Sequence, residues 1–462
     1  MKENKHFSMN VDLINGPIFK SLILFAIPML ISNIFQQLYN TVDTMIVGHY
    51  LGDASLAAIG ACSPVFDLMV GFALGIGSGL SIVSARCFGS GDENLLKKSV
   101  ASSIIIGLFV TIGVTTLAQL SLRPLLELLN TPADIIDESY GYISTITLFI
   151  IVMFAYNLSS GLLRAIGNSV MPLIFLIVSS ITNIVLDIVF IAHLGMGIRG
   201  AAVATVISQA ISVVLCIIYI LNKAQILIPS KEHFRFNKKI YFELIAQGLS
   251  MGFMNCFVSA GSVILQYGIN GLGSLTIAGH VAARKLYQFC IMPIVSLGFA
   301  GSTFVSQNRG ANKLGRIRRC IKYIYTYSIA STAVVAFLLF IFAPTMVKII
   351  SGSSEATIIN NGSMYLRCSA PFFAVLGILT CTRNALQALG QKILPIVSSV
   401  IEFFGKIIFV LIFIPKFEYM AVIFCEPVIW CIMATQLVIS FYTNPYIRGK
   451  EQKNVLMNEK SN

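Results

Sequence analysis

The sequence predicts an all-α polytopic membrane protein with twelve transmembrane helices in two pseudo-symmetric six-helix bundles. Of its 462 residues, 56% are hydrophobic and 11% are charged, and the mean hydropathy is +0.82. Soluble domains are far less apolar than this. A membrane-spanning helix needs about 20 mostly apolar residues, so twelve spans with short connections occupy nearly the whole chain. The two halves of the chain also carry similar motifs, which predicts the two bundles.

Apolar runs that end at glycine, proline or charge clusters define the predicted spans. They are 18–48, 54–84, 95–120, 136–163, 168–192, 198–221, 238–270, 275–306, 318–343, 357–383, 391–414 and 419–442. The longest polar connection lies near the midpoint of the chain. The predicted organisation is a cytoplasmic tail (1–17), a first lobe (18–221), a linker (222–237), a second lobe (238–442) and a second cytoplasmic tail (443–462).

Several motifs of the first half recur in the second half. The pairs are Leu51-Gly52 with Leu272-Gly273, Ala58 with Ala278, and Arg164-Ala165-Ile166-Gly167 plus Pro172 with Gln387-Ala388-Leu389-Gly390 plus Pro395. The last pair keeps the same internal spacing. Six helices per repeat place both copies in the same orientation, an arrangement typical of transporters whose substrate site lies between two halves.

The basic residues predict the orientation in the membrane. The tails and the even-numbered connections hold 24 of the 32 basic residues, whereas the odd-numbered connections hold only four of them. Positive charge concentrates on the cytoplasmic side, so we expect both termini in the cytoplasm and the protein in the plasma membrane. This distribution accounts for the net charge of +12 without a nucleic-acid partner. We expect Arg86, Arg164, Arg309 and Arg383 at the membrane interface, where they either bind anionic lipid or fix the topology.

Acidic residues inside predicted spans are rare, expensive and functional by default. Asp43 lies in the first span and Asp187 in the fifth, where Asn183 shares its helix face. Thr205 lies in the sixth span. Counted from the short outer connections, Asp43, Asp187 and Thr205 each lie roughly 8 Å deep at helical rise. The sequence therefore predicts one polar site formed by three helices.

Two carboxylates that share a site are not easily ionised together, so this site could bind a proton. Alternatively, the oxygens of Asp43, Asn183, Asp187 and Thr205 could coordinate Na⁺, or form a hydrogen-bond network that only packs the helices. Pro28 lies in the first span, where proline bends helices. It could act as a hinge or as a static kink. The glycines at 71, 75 and 79 predict a close helix contact.

Three stretches resemble the multidrug and toxic compound extrusion (MATE) family, and the resemblance covers nearly the whole chain. They are LYNTVDTMIVGHYLG (38–52), Asn183 to Asp187 followed by GAAVAT (200–205), and FVSQNRGANK (304–313). The resemblance is strongest to bacterial members with a coupling site in the first lobe. It implies two six-helix lobes around a V-shaped cleft, the fold shared with related flippases. It also implies export of organic cations in exchange for H⁺ or Na⁺ by alternating access.

Carried over from the family, the coupling residues fall on Asp43, Asn183, Asp187 and Thr205, and the bending proline falls on Pro28. Residues lining the first-lobe cavity fall on Gln36, Tyr39, Tyr142 and Asn157. Asp67 has no evident partner in the sequence, so we predict that it contacts cationic substrate.

The second lobe departs from some family members, because span 7 has no carboxylate beyond Glu243 and span 10 has none in its interior. A coupling acid is therefore not expected there. This lobe offers Gln266, Arg284, Lys285, Tyr287, Gln288, Met292 and Gln307. Simple pairing of the Arg284 and Lys285 cations with carboxylates or backbone carbonyls is the stronger interpretation of those two residues. Of these, we assign Gln266, Tyr287 and Met292 to the substrate cavity. Glu402 and Lys406 have the spacing of a structural ion pair within one helix.

Other functions are less well supported by the residues. A flippase for a lipid-linked or anionic substrate is the nearest alternative, and Arg284 with Lys285 favours it. A membrane enzyme needs a metal cluster or an activated nucleophile, which the sequence does not offer. A channel lacks a carbonyl filter motif. The ten cysteines, with no CxxC motif, are predicted packing residues. We therefore expect a monomeric transporter without cofactor or resident metal, with small organic cations and the bilayer as partners.

Overall fold

The structure is a computed structural model that describes residues 10–129 and 131–449, and these residues form helices without a β-strand. The helices are α1 (Ile18–Leu51), α2 (Asp53–Gly89), α3 (Glu93–Leu128), α4 (Ile136–Leu148), α5 (Ile150–Ala165), α6 (Val170–Asp187), α7 (Ile198–Lys223), α8 (Lys238–Asn270), α9 (Ser274–Gly310), α10 (Leu314–Ser351), α11 (Ala356–Ser369), α12 (Phe373–Ala388), α13 (Ile393–Ile408) and α14 (Ile414–Thr443). The predicted tails lie largely outside the described residues. Their basic residues Lys2, Lys5, Lys450, Lys453 and Lys460 lie outside them as well.

Ten helical stretches in the described residues are long and apolar enough to cross a membrane, or eleven if α4 and α5 count as one bent span. One of them, Ile393–Thr443, has 51 residues and would be about 77 Å long if it were straight. A bilayer core is only about 30 Å thick. Glu418 interrupts this stretch with φ 48° and ψ −130°, between the predicted spans 391–414 and 419–442. The all-α membrane fold predicted from the sequence is confirmed.

The predicted fourth span is bent by 49° where α4 meets α5. Such a bend frees backbone carbonyl groups, which need donors from neighbouring helices inside a membrane. Two polar side chains of α3 supply them: the Thr115 hydroxyl donates to the carbonyl of Thr147 at 3.0 Å, and the Gln119 amide donates to the carbonyl of Ser144 at 2.9 Å. The bend is therefore stabilised by a neighbouring helix and has no proline at its centre.

Backbone contacts divide the described chain into two compact units within α1 and α8. Unit 1 comprises Leu24–Cys256 with residues 10–16, and unit 2 comprises Pro17–Ile23 with residues 257–449. The core of unit 1 includes the fully buried aliphatic side chains of Leu80, Leu122, Ile143 and Leu163 and the fully buried ring of Phe25. The core of unit 2 includes fully buried aromatic rings such as Phe304 and Phe373. Because these units divide inside helices, the lobe boundaries at 221 and 238 stay a prediction.

Equivalent glycines end the fifth helix of each half. Gly167 has φ 90° and Gly390 has φ 88°, a backbone conformation that favours glycine over residues with a side chain. At Gly167 an added Cβ would lie 2.5 Å from the carbonyl oxygen of Val11. The AIG and ALG motifs thus end in the same backbone turn, so the two halves are similar in backbone conformation as well as in sequence at this position.

The close helix contact predicted for α2 involves two of its three glycines. An added Cβ at Gly75 would lie 2.8 Å from the carbonyl oxygen of Met251, and one at Gly79 would lie 2.7 Å from that of Gln247. At Gly71 there is open space, although its carbonyl oxygen accepts a hydrogen bond from Asn255 at 2.9 Å. The glycines therefore let α2 approach the first part of α8 within unit 1.

Candidate functional site

Two acidic side chains meet inside unit 1. Asp43 lies on α1, and Asp187 is the last residue of α6, just before a π-helical turn at Ile188–His193. Asp187 is fully buried, and its carboxyl group lies within hydrogen-bonding reach of that of Asp43. The contact agrees with the common depth predicted from the sequence. Local π-helical turns are frequent at functional sites, and this one begins directly after the acid.

The oxygens of this cluster lack hydrogen-bond donors. Oδ1 of Asp43, both carboxyl oxygens of Asp187 and Oδ1 of Asn183 are buried, and no N–H or O–H of the described residues donates to them. No cationic side chain among these residues pairs with either acid. Burying acceptors without donors is costly. A proton shared by the two carboxyl groups, or a bound cation, would satisfy these oxygens.

Polar groups from two further helices border the acid pair. The Asn183 amide donates to the Thr205 hydroxyl on α7 at 3.5 Å. Tyr39, one turn before Asp43, hydrogen-bonds with Gln36 and lies close enough to both acids to interact electrostatically. Tyr142 of α4 also interacts with both acids. Five predicted residues, Gln36, Tyr39, Asn183, Thr205 and Tyr142, thus lie around the acid pair.

An apolar layer lies beside this cluster. The side chains of Val47, Ile191 and Ala201 are buried together, with Ile46 and Tyr142 packed against them. This layer comes from α1, the π-helical turn and α7, the same elements that carry the polar residues. It limits water on one side of the acids, which strengthens electrostatic interactions there.

Two predicted cavity residues of unit 1 lie apart from the acid pair. The Asn157 side chain packs on α2, where its Oδ1 accepts a hydrogen bond from Ser78 at 3.5 Å and would lie 2.8 Å from a Cβ at Gly77. The structure therefore gives Asn157 a packing contact between α5 and α2. Asp67 is exposed on α2 and forms no ion pair or hydrogen bond with the described residues. Its substrate contact stays a prediction.

Pro28 lies inside α1, which continues as one helix from Ile18 to Leu51. The Ser32 hydroxyl donates to the carbonyl of Pro28 at 2.8 Å. Proline lacks the N–H that would bond the carbonyl four residues earlier, so the helix is weakest one turn before it. The boundary between the two units within α1 falls at the same turn, after Ile23. The hinge role of Pro28 stays a prediction.

Two of the three cavity residues predicted in unit 2 are buried. Tyr287 is buried, stacks on Trp430 at 6.1 Å and lies edge-on to Phe373 at 5.5 Å. Met292 is also buried. Gln266, in contrast, lines an open cavity. Tyr287 and Met292 therefore pack in the interior of unit 2, and their assignment to the substrate cavity stays a prediction.

A chain of alternating charges runs through unit 2. Arg284 Nη1 lies 2.6 Å from Glu426, and Lys406 lies 3.8 Å from Glu426 and 2.9 Å from Glu402. Arg383 lies 3.8 Å from Glu402. Lys406 is only 1% exposed, so its charge depends on these two carboxylates. The predicted Glu402 and Lys406 pair is confirmed, and we call these five residues the charge chain.

Sequence reasoning missed Glu426, which joins Arg284 to Lys406. A signal was available, since Glu426 is the single acid within the predicted span 419–442 and such acids are functional or structural by default. The structure also gives acidic partners to two of the four arginines expected at the interface. Arg86 pairs with Glu243 at 3.0 Å, and Arg383 belongs to the charge chain. Both arginines therefore have protein partners.

Metal coordination by clustered ligands has no support in residues 10–129 and 131–449. These residues contain no group of three or more His, Cys, Asp or Glu side chains that could hold a metal ion. The ten cysteines are all free thiols.

Comparison with known proteins gives the family. The MatE family model matches two stretches of equal length, 28–189 and 251–412. A probable multidrug resistance protein of Bacillus subtilis (strain 168), YoeA, is 27% identical over 416 residues, which cover 88% of this chain and 89% of YoeA. The multidrug export protein MepA of Staphylococcus saprophyticus is 25% identical and covers 81% of this chain and 82% of MepA.

A solved structure described as MATE in the bent conformation has the same fold. It matches with a TM-score of 0.83 at 21% identity and covers 94% of this chain and 97% of its own. The two matched stretches of the family model include Asp43 and Asp187 in the first copy and Arg284 and Lys406 in the second. The chain therefore belongs to the MatE family, the multidrug and toxic compound extrusion transporters that its motifs resemble, and it is a multi-pass membrane transporter rather than an enzyme.

Proposed function

We propose that this protein exports organic cations and amphiphilic drugs across the plasma membrane in exchange for protons. The observation that carries the proposal is the acid pair of Asp43 and Asp187, whose buried oxygens have no donor. The names of the relatives in Bacillus subtilis and Staphylococcus saprophyticus, a multidrug resistance protein and a multidrug export protein, support export of drugs. In this proposal both termini face the cytoplasm.

The charge of the acid pair would couple proton binding to binding of the organic cation. With one proton held between them, Asp43 and Asp187 satisfy each other, because the protonated carboxyl group donates to the ionised one. When that proton is lost, two adjacent carboxylates remain, and their field attracts a cation. A ligand shifts a conformational equilibrium only by its differential affinity for the two states. Proton and cation binding would therefore favour opposite states of the transporter.

The two carboxyl groups lie within hydrogen-bonding reach of each other, which favours a proton over Na⁺ as the coupling ion. Sodium would have to lie between oxygens of Asp43, Asn183, Asp187 and Thr205, each of which would then contact the ion rather than its neighbour. Proton release would remove the hydrogen bond between α1 and α6. In this mechanism α1 bends at Pro28 in response, since that turn lacks a backbone hydrogen bond.

Proteoliposomes test the proposal. Vesicles with an acidic interior should accumulate ethidium added outside, because protons leave as the cation enters. Asp43→Asn and Asp187→Asn should each abolish this accumulation. Asp53→Asn is the matched control, since Asp53 is exposed at the first turn of α2, and it should transport like the native chain.

A parallel set of vesicles loaded with Na⁺ at equal pH decides the ion. If the Na⁺ gradient alone drives ethidium accumulation, the coupling ion is Na⁺ and not the proton. Driven uptake that survives in Asp43→Asn would show that the acid pair is not the coupling site. A folded protein that moves no organic cation under either gradient would favour the flippase for a lipid-linked or anionic substrate.

A further inference from the structure

Unit 2 contains a cavity of about 240 Å³ between α8, α9, α11 and α14. Its polar wall includes Arg284, Lys285, Gln288 and Glu426, and its apolar wall includes Leu265 and Val281. We call it the unit-2 cavity. Gln288 and Lys285 are exposed side chains, so the cavity is open on their side. A concave wall that combines apolar side chains with convergent polar and charged groups suits a small molecule that has both an apolar and a charged part.

The unit-2 cavity carries an uncompensated positive charge. Lys285 lies eleven residues into α9 from Ser274, about 16 Å along the helix axis and so about half the thickness of a bilayer core. No acid of the described residues forms an ion pair with it. Glu426, the one acid in the cavity wall, already has Arg284 at 2.6 Å and Lys406 at 3.8 Å. An ionisable side chain at this depth is a candidate functional residue.

A second cation reinforces this charge. The Arg284 side chain is 32% exposed, and the same Nη1 nitrogen makes its bonds to Glu426 and to the Tyr365 hydroxyl. The remaining N–H groups of a guanidinium lie in the same plane and suit the two oxygens of a carboxylate or phosphate. Arg284 and Lys285 are adjacent residues that both line the cavity.

We propose that the unit-2 cavity binds an amphiphilic organic anion. Its carboxylate or phosphate group would contact the Lys285 ammonium and the exposed edge of Arg284, and its apolar body would lie on Leu265 and Val281. This site differs in charge and in position within the chain from the acid pair of unit 1. It goes beyond cation export and does not depend on it.

The chain has a built-in reporter for this site. Trp430 is its single tryptophan and lies one helical turn after Glu426 on α14. Its ring stacks on Tyr287 at 6.1 Å, and the Arg284 guanidinium lies over the same Tyr287 ring at 4.6 Å. A ligand that engages Arg284 should therefore change the emission of Trp430.

The test uses the full chain in nanodiscs of phosphatidylcholine, titrated with three probes of equal chain length: decanoate, decanol and decyltrimethylammonium. Decanoate should shift the Trp430 emission at concentrations at least about tenfold lower than the other two, because only it carries an anionic group. Lys285→Gln should weaken decanoate binding by about tenfold or more, and Lys285→Arg should keep it within about threefold. Lys348→Gln, which removes an exposed lysine at the end of α10, should bind like the native chain.

Equal responses to the three probes would overturn the proposal, and so would unchanged decanoate binding in Lys285→Gln. The probe comparison needs no variant, so a folding defect cannot produce its result. Nanodiscs that also contain phosphatidylglycerol identify the source of the anion. If this lipid shifts the Trp430 emission and competes with decanoate, the bound oxyanion is a lipid headgroup. If decanoate binding is unchanged, the site takes a free organic anion.

Discussion

The two units place polar side chains at equivalent positions but balance their charges differently. The repeated motifs that begin at Arg164 and Gln387 are offset by 387 − 164 = 223 residues, and the same offset pairs Asn183 with Lys406 and Tyr142 with Tyr365. In unit 1 these positions surround two acids without a cation. In unit 2 they surround carboxylates that each have basic partners. One repeat thus carries two acids without a cationic partner among the described residues, and the other carries its own counter-ions.

This difference separates two uses of buried charge. A buried ion pair with its partners in place contributes little net stability, yet removing one partner is strongly destabilising. An acid pair without partners depends on what binds to it and can change charge during transport. The charge chain is therefore expected to support folding and the unit-2 cavity, whereas the acid pair is expected to support transport.

The largest difference in the free energy of unfolding is expected between Glu426→Gln and Asp187→Asn. Glu426→Gln leaves Arg284 and Lys406 short of a counter-charge, so the free energy of unfolding should fall by about 3–5 kcal/mol. Asp187→Asn removes one of two like charges and should change it by less than about 1 kcal/mol, while transport is lost. The free energy of unfolding is measured by unfolding each variant with SDS in mixed micelles and following the emission of Trp430.

The exposed Glu355 offers the control for that contrast. Glu355→Gln should leave stability unchanged. If Asp187→Asn were as destabilising as Glu426→Gln, the acid pair would be a structural network like the charge chain.

An intermediate test transfers a charge between the units. Asn183→Lys places in unit 1 the residue that unit 2 carries at the equivalent position. The new ammonium should pair with Asp187 and hold it ionised, because an adjacent cation favours the carboxylate. We expect a folded protein whose proton-driven ethidium uptake is lost. Asn183→Gln, which keeps an uncharged amide, is the comparison variant, and retained driven uptake in Asn183→Lys would argue against proton binding at this site.

The smallest expected difference in the free energy of unfolding is between variants of the equivalent tyrosines, Tyr365 and Tyr142. The Tyr365 hydroxyl accepts a hydrogen bond from Arg284 at 3.1 Å and donates one to Glu426 at 3.4 Å. Tyr365→Phe should therefore lower the free energy of unfolding by about 1 kcal/mol. No hydrogen bond from the Tyr142 hydroxyl to another described residue is found, so Tyr142→Phe should change it by less than about 0.5 kcal/mol. The same SDS unfolding experiment compares the two, and equal losses would show that the units do not differ in this way.

Much of the unit 1 site could be predicted from the sequence because intramembrane acids are few. Asp43 and Asp187 stand out against apolar helices, and counting residues from the outer connections placed them at one depth. Asn157 was harder to place, because an amide is common both in cavities and in helix packing. Its contact with Gly77 depends on how α5 approaches α2.

The bend between α4 and α5 had no signal in its own helix. It contains no proline at the break, and its freed carbonyl groups are bonded by Thr115 and Gln119 of α3. These partners lie well before the bend in the chain, so only the packed structure brings them to it. The stacking of Tyr287 on Trp430 could not be predicted for a related reason, since an aromatic ring at that position can face a cavity or a neighbouring ring.

The sequence by itself determined the membrane fold, the repeat, the family and the acids at the candidate coupling site. Long apolar helices and rare intramembrane charges are local properties, so they can be read from a single chain. Only the tertiary structure decided which charges are paired, because pairing depends on distances between helices far apart in sequence. Tertiary packing places Glu426 between Arg284 and Lys406, and Lys285 next to them has no counter-ion among the described residues.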